Sequence, residues 1–530
     1  MQTSDASAPP QPRDRDPYLL TRWVFLRLLG LVYLSAFASL YVQLPGLVGE
    51  HGILPARLFL WGVQAVAGGG RFLAMPTLAW LGSGDGALRL IAGAGIVASI
   101  LAVAGVLTMP ALAVAWVCWL SLVNVGQDFT GFQWDALLLE AGFLAIFFAP
   151  ATVLPGTRRE SPPSRVVLWL IRILLFRLMF FSGVVKLASG DPTWRGLTAL
   201  AYHYQTQPLP TPAAWYAHHL PLILQRFSAA AMLCVEIAAP FLVFAPRRGR
   251  IAAFVPLVGL QLLIAVTGNF GYFNWLTIAL CVTLLDDAAI RRIVPGRWRG
   301  RLPSLEAPRQ PRRWRPHVAG ALAGLVIFLT VVATAQGFGA EGLLPRPAGA
   351  LAAALQPLHV VNGYGLFAVM TTSRTEIEVQ GSDDGVRWKT YAFRYKPGDP
   401  RRAPGWIDPH MPRLDWQMWF AALGPPEASP WLGDMMLRLL QGRREVTDLF
   451  AANPFPGRAP RMVRAIAWDY RFSTAAERRA TGAWWMRTPL GIYLPPVALS
   501  GDGTELVPAS TPASAGSGPS TETPGGPRRS

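Results

Sequence analysis

The sequence predicts a polytopic α-helical membrane protein of about nine spans, followed by a C-terminal exoplasmic β-containing domain of sandwich type. Three observations predict it. Of 530 residues, 52% are hydrophobic and 15% charged, with a mean hydropathy of +0.31, a balance typical of membrane chains rather than soluble domains. Nine apolar runs approach the about 20 residues that a helix needs to cross a bilayer. After residue 345 the runs give way to short alternating segments.

The elements follow in order. Residues 1–19, beginning "MQTSDASAPPQPRDRDP", are polar and Pro-rich and read as a disordered cytoplasmic tail. No cleavable leader is evident, because the first apolar run is long enough to remain as a span. The expected spans are 23–43, 88–108, 111–126, 136–155, 166–186, 228–245, 251–267, 272–286 and 317–338, within a transmembrane domain of residues 20–340. The third and eighth are short and read as tilted, re-entrant or buried. Basic stretches at 13–22, 157–165, 246–250 and 291–316 all fall on one side if the N-terminus is cytoplasmic, as the positive-inside rule requires. The loops 44–87, 127–135, 187–227 and 268–271, and everything after about 339, then lie outside. Asp286 and Asp287 sit at an inner, solvated helix end beside Arg291 and Arg292.

Residues 345–498 read as a soluble domain outside the membrane. In "RTEIEVQGSDDGVRWKTYAFRYKPGD", Ile377 and Val379 point one way and Glu376 and Glu378 the other; "SDDG" supplies an Asp-Gly turn and alternation resumes to Tyr395, which is a hairpin. Trp416, Trp419, Phe420 and Leu423 share one helical face, either domain core or bilayer surface. Residues 461–474 alternate as a strand, and the Ser/Thr/Pro/Gly-rich 501–530 read as a disordered tail.

Several function classes are excluded. The net charge of +17 is scattered between apolar runs, which argues against nucleic acid. Cys118, Cys234 and Cys281 lie in apolar runs without a C-x-x-C, so thiol chemistry has no support. There is no G-x-S-x-G, no H-E-x-x-H and no P-loop lysine, and the histidines show no metal-ligand spacing. No metal and no cofactor is expected. "GAGIVA" at 93–98 imitates a dinucleotide fingerprint but lies inside an apolar run, where tight helix packing explains it. Arg dominates and Lys occurs three times, which with the Ala/Gly/Pro bias matches a GC-rich bacterial genome.

Three polar constellations remain, all at the outer rim. Gln133, Trp134, Asp135 and Glu140 open a span; Asp135 can cap the helix, but Glu140 lies a turn deeper, where a carboxylate must face protein or water. Lys186 ends another span and is followed by Asp191, Trp194, Tyr202, His203 and Gln205. A snorkelling lysine suits a helix C-terminus, yet the only Lys of the membrane part of an Arg-rich chain also suits a site that needs a compact ammonium. "GNFGYFN" at 268–274 sets Asn269 and Asn274 beside Tyr272; its glycines permit a tight reversal and its amides can bond loose backbone groups.

"FQWDALLLEAGFLAIFFAP", "RLMFFSGVVKLASGDPTWRGLTALAYHYQTQPLP", "GNFGYFNWLTIALCVTLLDD", "GSDDGVRWKTYAFRYKPGD", "RLDWQMWFAALG" and "WWMR…GIY" resemble, in this order, the lipase maturation factor family from about residue 20 to 498. The resemblance implies a membrane-tethered folding factor rather than an enzyme. Its animal members reside in the endoplasmic reticulum and help lipases of the lipoprotein-lipase type reach their active form. It thus implies a secreted, lipase-like client and, for a bacterial member, a place in the plasma membrane with the C-terminal domain outside the cytoplasm. Trp388, Trp416, Trp419, Trp484 and Trp485 are the client-facing candidates. "FFSGVVKLASGDPTWRGLTAL" is also similar to the membrane region of vitamin K-dependent carboxylases. That likeness implies an alternative, an integral membrane enzyme with Lys186 and His203 as bases in an outer pocket, provided that burial depresses the lysine pKa. A lipid carrier ranks lower, because its polar groups would sit at mid-membrane depth.

Overall fold

The helix α1 (Leu19–Tyr41) runs through the middle of the bundle and buries Phe25, Leu29, Tyr33 and Phe37. The structure, a computed structural model, describes residues 18–151, 153, 162–300, 302–303 and 315–509. The expected tail over residues 1–17, most of the basic stretch 157–165, residues 304–314 and the tail from 510 lie outside the described residues.

Against α1 pack α2 (Asp85–Ala104), α3 (Thr108–Val125), α4 (Gln133–Phe148) and α8 (Phe273–Val282), and the bundle is completed by α5 (Arg165–Ala188), α6 (Leu222–Ile237), α7 (Arg247–Thr267) and α9 (Arg315–Gly337), of which α6 and α9 pack on α5. Every expected span coincides with one of these helices. Seven are long and apolar enough to cross a membrane, α6 counting with the 3-10 turns that extend it to Phe244; α4 and α8, at 16 and 10 residues, are not. Yet Tyr272, before α8, meets Arg413 at one end of the bundle, and Asp286, beyond it, meets Arg247 at the other. Nearly the whole segment is buried by its neighbours, so lipid thickness does not set its length.

Missing side chains let the helices close up. A Cβ on Gly95 would lie 2.3 Å from the Phe37 ring, so "GAGIVA" does mark close packing of α2 on α1. Asp286 and Asp287 depart from the solvated helix end. Asp286 is 5% exposed, caps the helix Asp287–Ile293 through the Ala289 amide at 2.8 Å and binds Arg247; Asp287 accepts from the Thr21 amide at 2.9 Å. They tie the start of α1 to the start of α7.

The C-terminal domain carries one sheet among the described residues, not the two of a sandwich. Its antiparallel order is β2-β1-β3-β4-β5: β1 (Arg374–Ser382), β2 (Lys389–Thr390), β3 (Met462–Phe472), β4 (Trp485–Leu499) and β5 (Leu506–Pro508). The expected hairpin is present. Ser382 Oγ accepts from the Gly385 amide, Asp384 Oδ1 from the Val386 and Arg387 amides, and Gly385 takes φ +72°. The expected strand over 461–474 is β3. Where a second sheet would stand, α10 (Arg413–Ala421) and α11 (Trp431–Leu440) pack. Trp431, Leu432, Met435, Met436, Leu439 and Leu440 recur at helical spacing and are buried, a period the sequence reading passed over. The tail expected from 501 instead continues as a turn into β5, paired with Val497–Leu499.

Candidate functional site

The rim residues converge on a seam where the bundle meets the C-terminal domain. Asp135 is in the first turn of α4, which favours a carboxylate through the helix dipole. It is fully buried and takes a two-pronged bond from Arg413 at the start of α10, Nη1 at 2.7 Å and Nη2 at 2.8 Å. The Tyr272 hydroxyl donates to the same carboxylate, and Arg413 also donates to the Phe129 carbonyl at 2.8 Å. Trp119 and Phe132 lie 5.8 and 5.7 Å from the guanidinium and keep the pair dry.

One turn deeper, the buried Glu140 is held from both partners. Arg177 of α5 donates to Oε1 at 2.6 Å; the Tyr364 hydroxyl at 2.7 Å and the Asn362 amide at 2.9 Å donate to Oε2. Gln133 accepts from the Gly365 amide at 3.1 Å. Trp134 stacks on Phe132 at 4.7 Å and meets Trp416 edge-on at 4.8 Å.

The second constellation docks the same domain. Asp191 accepts from the Met370 amide at 2.7 Å, and Trp194 donates to the Phe367 carbonyl at 3.0 Å. The Gln205 side chain accepts from the Phe472 amide at 3.2 Å. Arg374 of β1 donates to the Gln205 carbonyl at 2.8 Å and to the Pro208 carbonyl at 2.9 Å. The Tyr202 side chain is outside this network, at the surface, 36% exposed.

Lys186 neither snorkels nor meets His203. The residue is 3% exposed, and its ammonium donates to both Glu236 oxygens, at 3.0 and 2.8 Å, and to the Ser182 carbonyl at 3.0 Å. An ammonium held by a carboxylate is not arranged as a base. The His203 ring stands edge-on to Phe367 at 5.3 Å, and burial, then the Lys186 charge, pushes it down to about 4. No hydrogen bond joins Lys186 to His203, although the lysine charge reaches the imidazole.

The reversal at 268–274 docks a loop rather than lining a pocket. The Asn269 amide group donates to the Gly405 carbonyl at 2.9 Å and accepts from the Ile407 amide at 2.7 Å. The Gly271 amide, at φ +60°, donates to Asp408 at 2.7 Å. Asn274 is fully buried and bonds none of these residues.

Of the tryptophans, Trp416 and Trp485 are 2% and 1% exposed and belong to the core, so they present no face to a client. Trp419 donates to the Thr206 carbonyl at 2.7 Å and is part of the seam, while Phe420 and Leu423 are 41% and 50% exposed. Trp388 and Trp484 are half-buried under Arg464 at 4.0 Å and Arg478 at 3.4 Å. Arg413, Arg177, Asn362, Tyr364 and Arg374 escaped the sequence reading. Among the described residues, no group of three or more His, Cys, Asp or Glu could hold a metal ion.

Comparison with known proteins gives a consistent picture. Residues 20–292 match the family described as "Lipase maturation factor transmembrane domain", and residues 360–495 match "Lipase maturation factor C-terminal domain". Lipase maturation factor 2 of Homo sapiens is 39% identical over 92% of this chain and 83% of its own length. Lipase maturation factor 1 of Bos taurus is 37% identical over 91% and 89%, and that of Homo sapiens 35% over 91% and 88%. No solved structure matches.

Proposed function

The chain belongs to the lipase maturation factor family, and on that premise we propose that it is a membrane-tethered maturation factor for a secreted, lipase-like client. It is an integral membrane protein. Its place is the bacterial plasma membrane, with nine passes and the C-terminal domain outside. Arg22, Arg247, Arg250 and Arg291 gather at the bundle end opposite the seam, which supports that orientation by the positive-inside rule.

The observation that carries this reading is the seam. Of the rim side chains, Gln133, Asp135, Glu140, Asp191, Trp194, Gln205 and Asn269 bind the C-terminal domain, while Lys186 pairs with Glu236 inside the bundle. What faces outward is the surface of a rigidly mounted domain, suited to holding a folding chain near the membrane.

The test is deletion of the gene in its own host, reading secreted lipase activity per unit of lipase protein. Specific activity is expected to fall several-fold while the amount of lipase polypeptide made is unchanged, and to recover with the intact chain. Unchanged specific activity for every secreted lipase would overturn the proposal.

A further inference from the structure

A groove of about 780 Å³ opens on the outer surface of the bundle between α2 and α3, away from the seam. Its floor is made of small residues: Ala98 and Ala111 are each 4% exposed, and a Cβ on Gly93 would meet nothing within 4 Å. Leu90 and Val97, 74% and 57% exposed, stand up as its rims. From Gly86 to Leu101 the lining covers about 22 Å at 1.5 Å per residue, longer than the roughly 15 Å of one leaflet.

Arg89 is the charged residue in the lining, at the seam end. No ion pair among the described residues reaches it. Asp85, one turn earlier, spends Oδ1 on the Glu50 amide at 2.8 Å. A cation near the N-terminal end of a helix gains nothing from the helix dipole, which favours an anion there. At the outer rim the exposed guanidinium reaches the headgroup layer from the end of the apolar trench, and its fork matches a phosphate.

We propose that this groove binds one anionic glycerophospholipid, an acyl chain lying along the trench and the phosphate on Arg89. The proposal is independent of the client and of the maturation role. The lone cation selects headgroups that carry net negative charge over zwitterionic ones.

The test is native mass spectrometry of the full chain released from nanodiscs of equal phosphatidylglycerol and phosphatidylcholine. The wild-type chain is expected to retain one phosphatidylglycerol, several-fold preferred over phosphatidylcholine. Arg89→Gln is expected to bring that preference close to one while a lipid is still retained. Gly93→Leu, whose Cβ meets no protein atom within 4 Å and whose side chain enters the trench, is expected to remove the retained lipid. Gly86→Leu serves if the first variant fails to fold, since a Cβ there also meets open space. Retention in the bulk ratio by the wild-type chain, retention unaltered in both variants, or a free fatty acid in place of the phospholipid would each overturn the proposal.

Discussion

Asp135 and Arg413 show what a single residue does in this seam. Both are buried and bonded through two contacts, so removing one charge strands the other. Asp135→Asn is expected to destabilise the protein by about 3–5 kcal/mol, read as thermal unfolding in detergent. Exchanging both residues for apolar ones of similar size is expected to cost less, because no charge is then left alone; equal losses in the two variants would sink that account. Asp408 acts in the opposite sense. Burial pushes its carboxyl up to about 7 against bonds from Gly271 and Phe270, and Oδ2 has no partner. The folded protein therefore keeps a proton that the unfolded chain releases near 3.8, so this contribution is full below that pH and is lost as pH rises through 7. Asp408→Asn is expected to flatten stability between about pH 4 and 8 and to raise it at the upper end. A variant with the wild-type pH slope would show that another group is responsible. The sequence exposed Asp135, Glu140 and Asn269 because polar groups at span ends need partners. It hid Arg413, which lies 278 positions from Asp135, because no local period reports a long-range pair.

At the scale of elements, two glycines of α2 separate packing from propensity. Gly95 faces the Phe37 ring, whereas a Cβ at Gly93 meets open space. Gly95→Ala is expected to cost about 1–3 kcal/mol by overpacking. Gly93→Ala is expected to be neutral or to stabilise by up to about 1 kcal/mol through helix propensity. Equal melting temperatures for the two variants would refute the close approach of α2 to α1. The apolar runs gave away the helices because a bilayer imposes one length on lipid-facing segments, and the short α8 was the hardest to classify because protein, not lipid, surrounds it. The sandwich expectation failed for a related reason. Alternation in β1 and β3 reveals that one sheet face is covered, but not by what, and the covering layer had to be read from the helical period of Trp431 to Leu440.

For the molecule as a whole, the seam and the basic cluster sit at opposite ends of one bundle, which makes topology testable without reference to any client. Val386 is 78% exposed on the C-terminal domain, and Arg195 lies exposed in the segment docked against it. Arg292 lies exposed at the other end, near the Asp286–Arg247 pair. Of the native cysteines, Cys118 and Cys281 are buried, and Cys234, exposed on α6, is replaced by alanine before labelling. Single cysteines at 386 and 195 are expected to react with a membrane-impermeant maleimide in intact cells, and one at 292 only after permeabilisation. The seam requires the first two to behave alike whichever way the protein is inserted, so opposite labelling of 386 and 195 contradicts the fold itself. If both are protected and 292 reacts, the fold stands but the charge-based orientation is reversed, and a secreted client could not meet the C-terminal domain. The expected pattern leaves the C-terminal domain on the side of the membrane where the proposed secreted client would be.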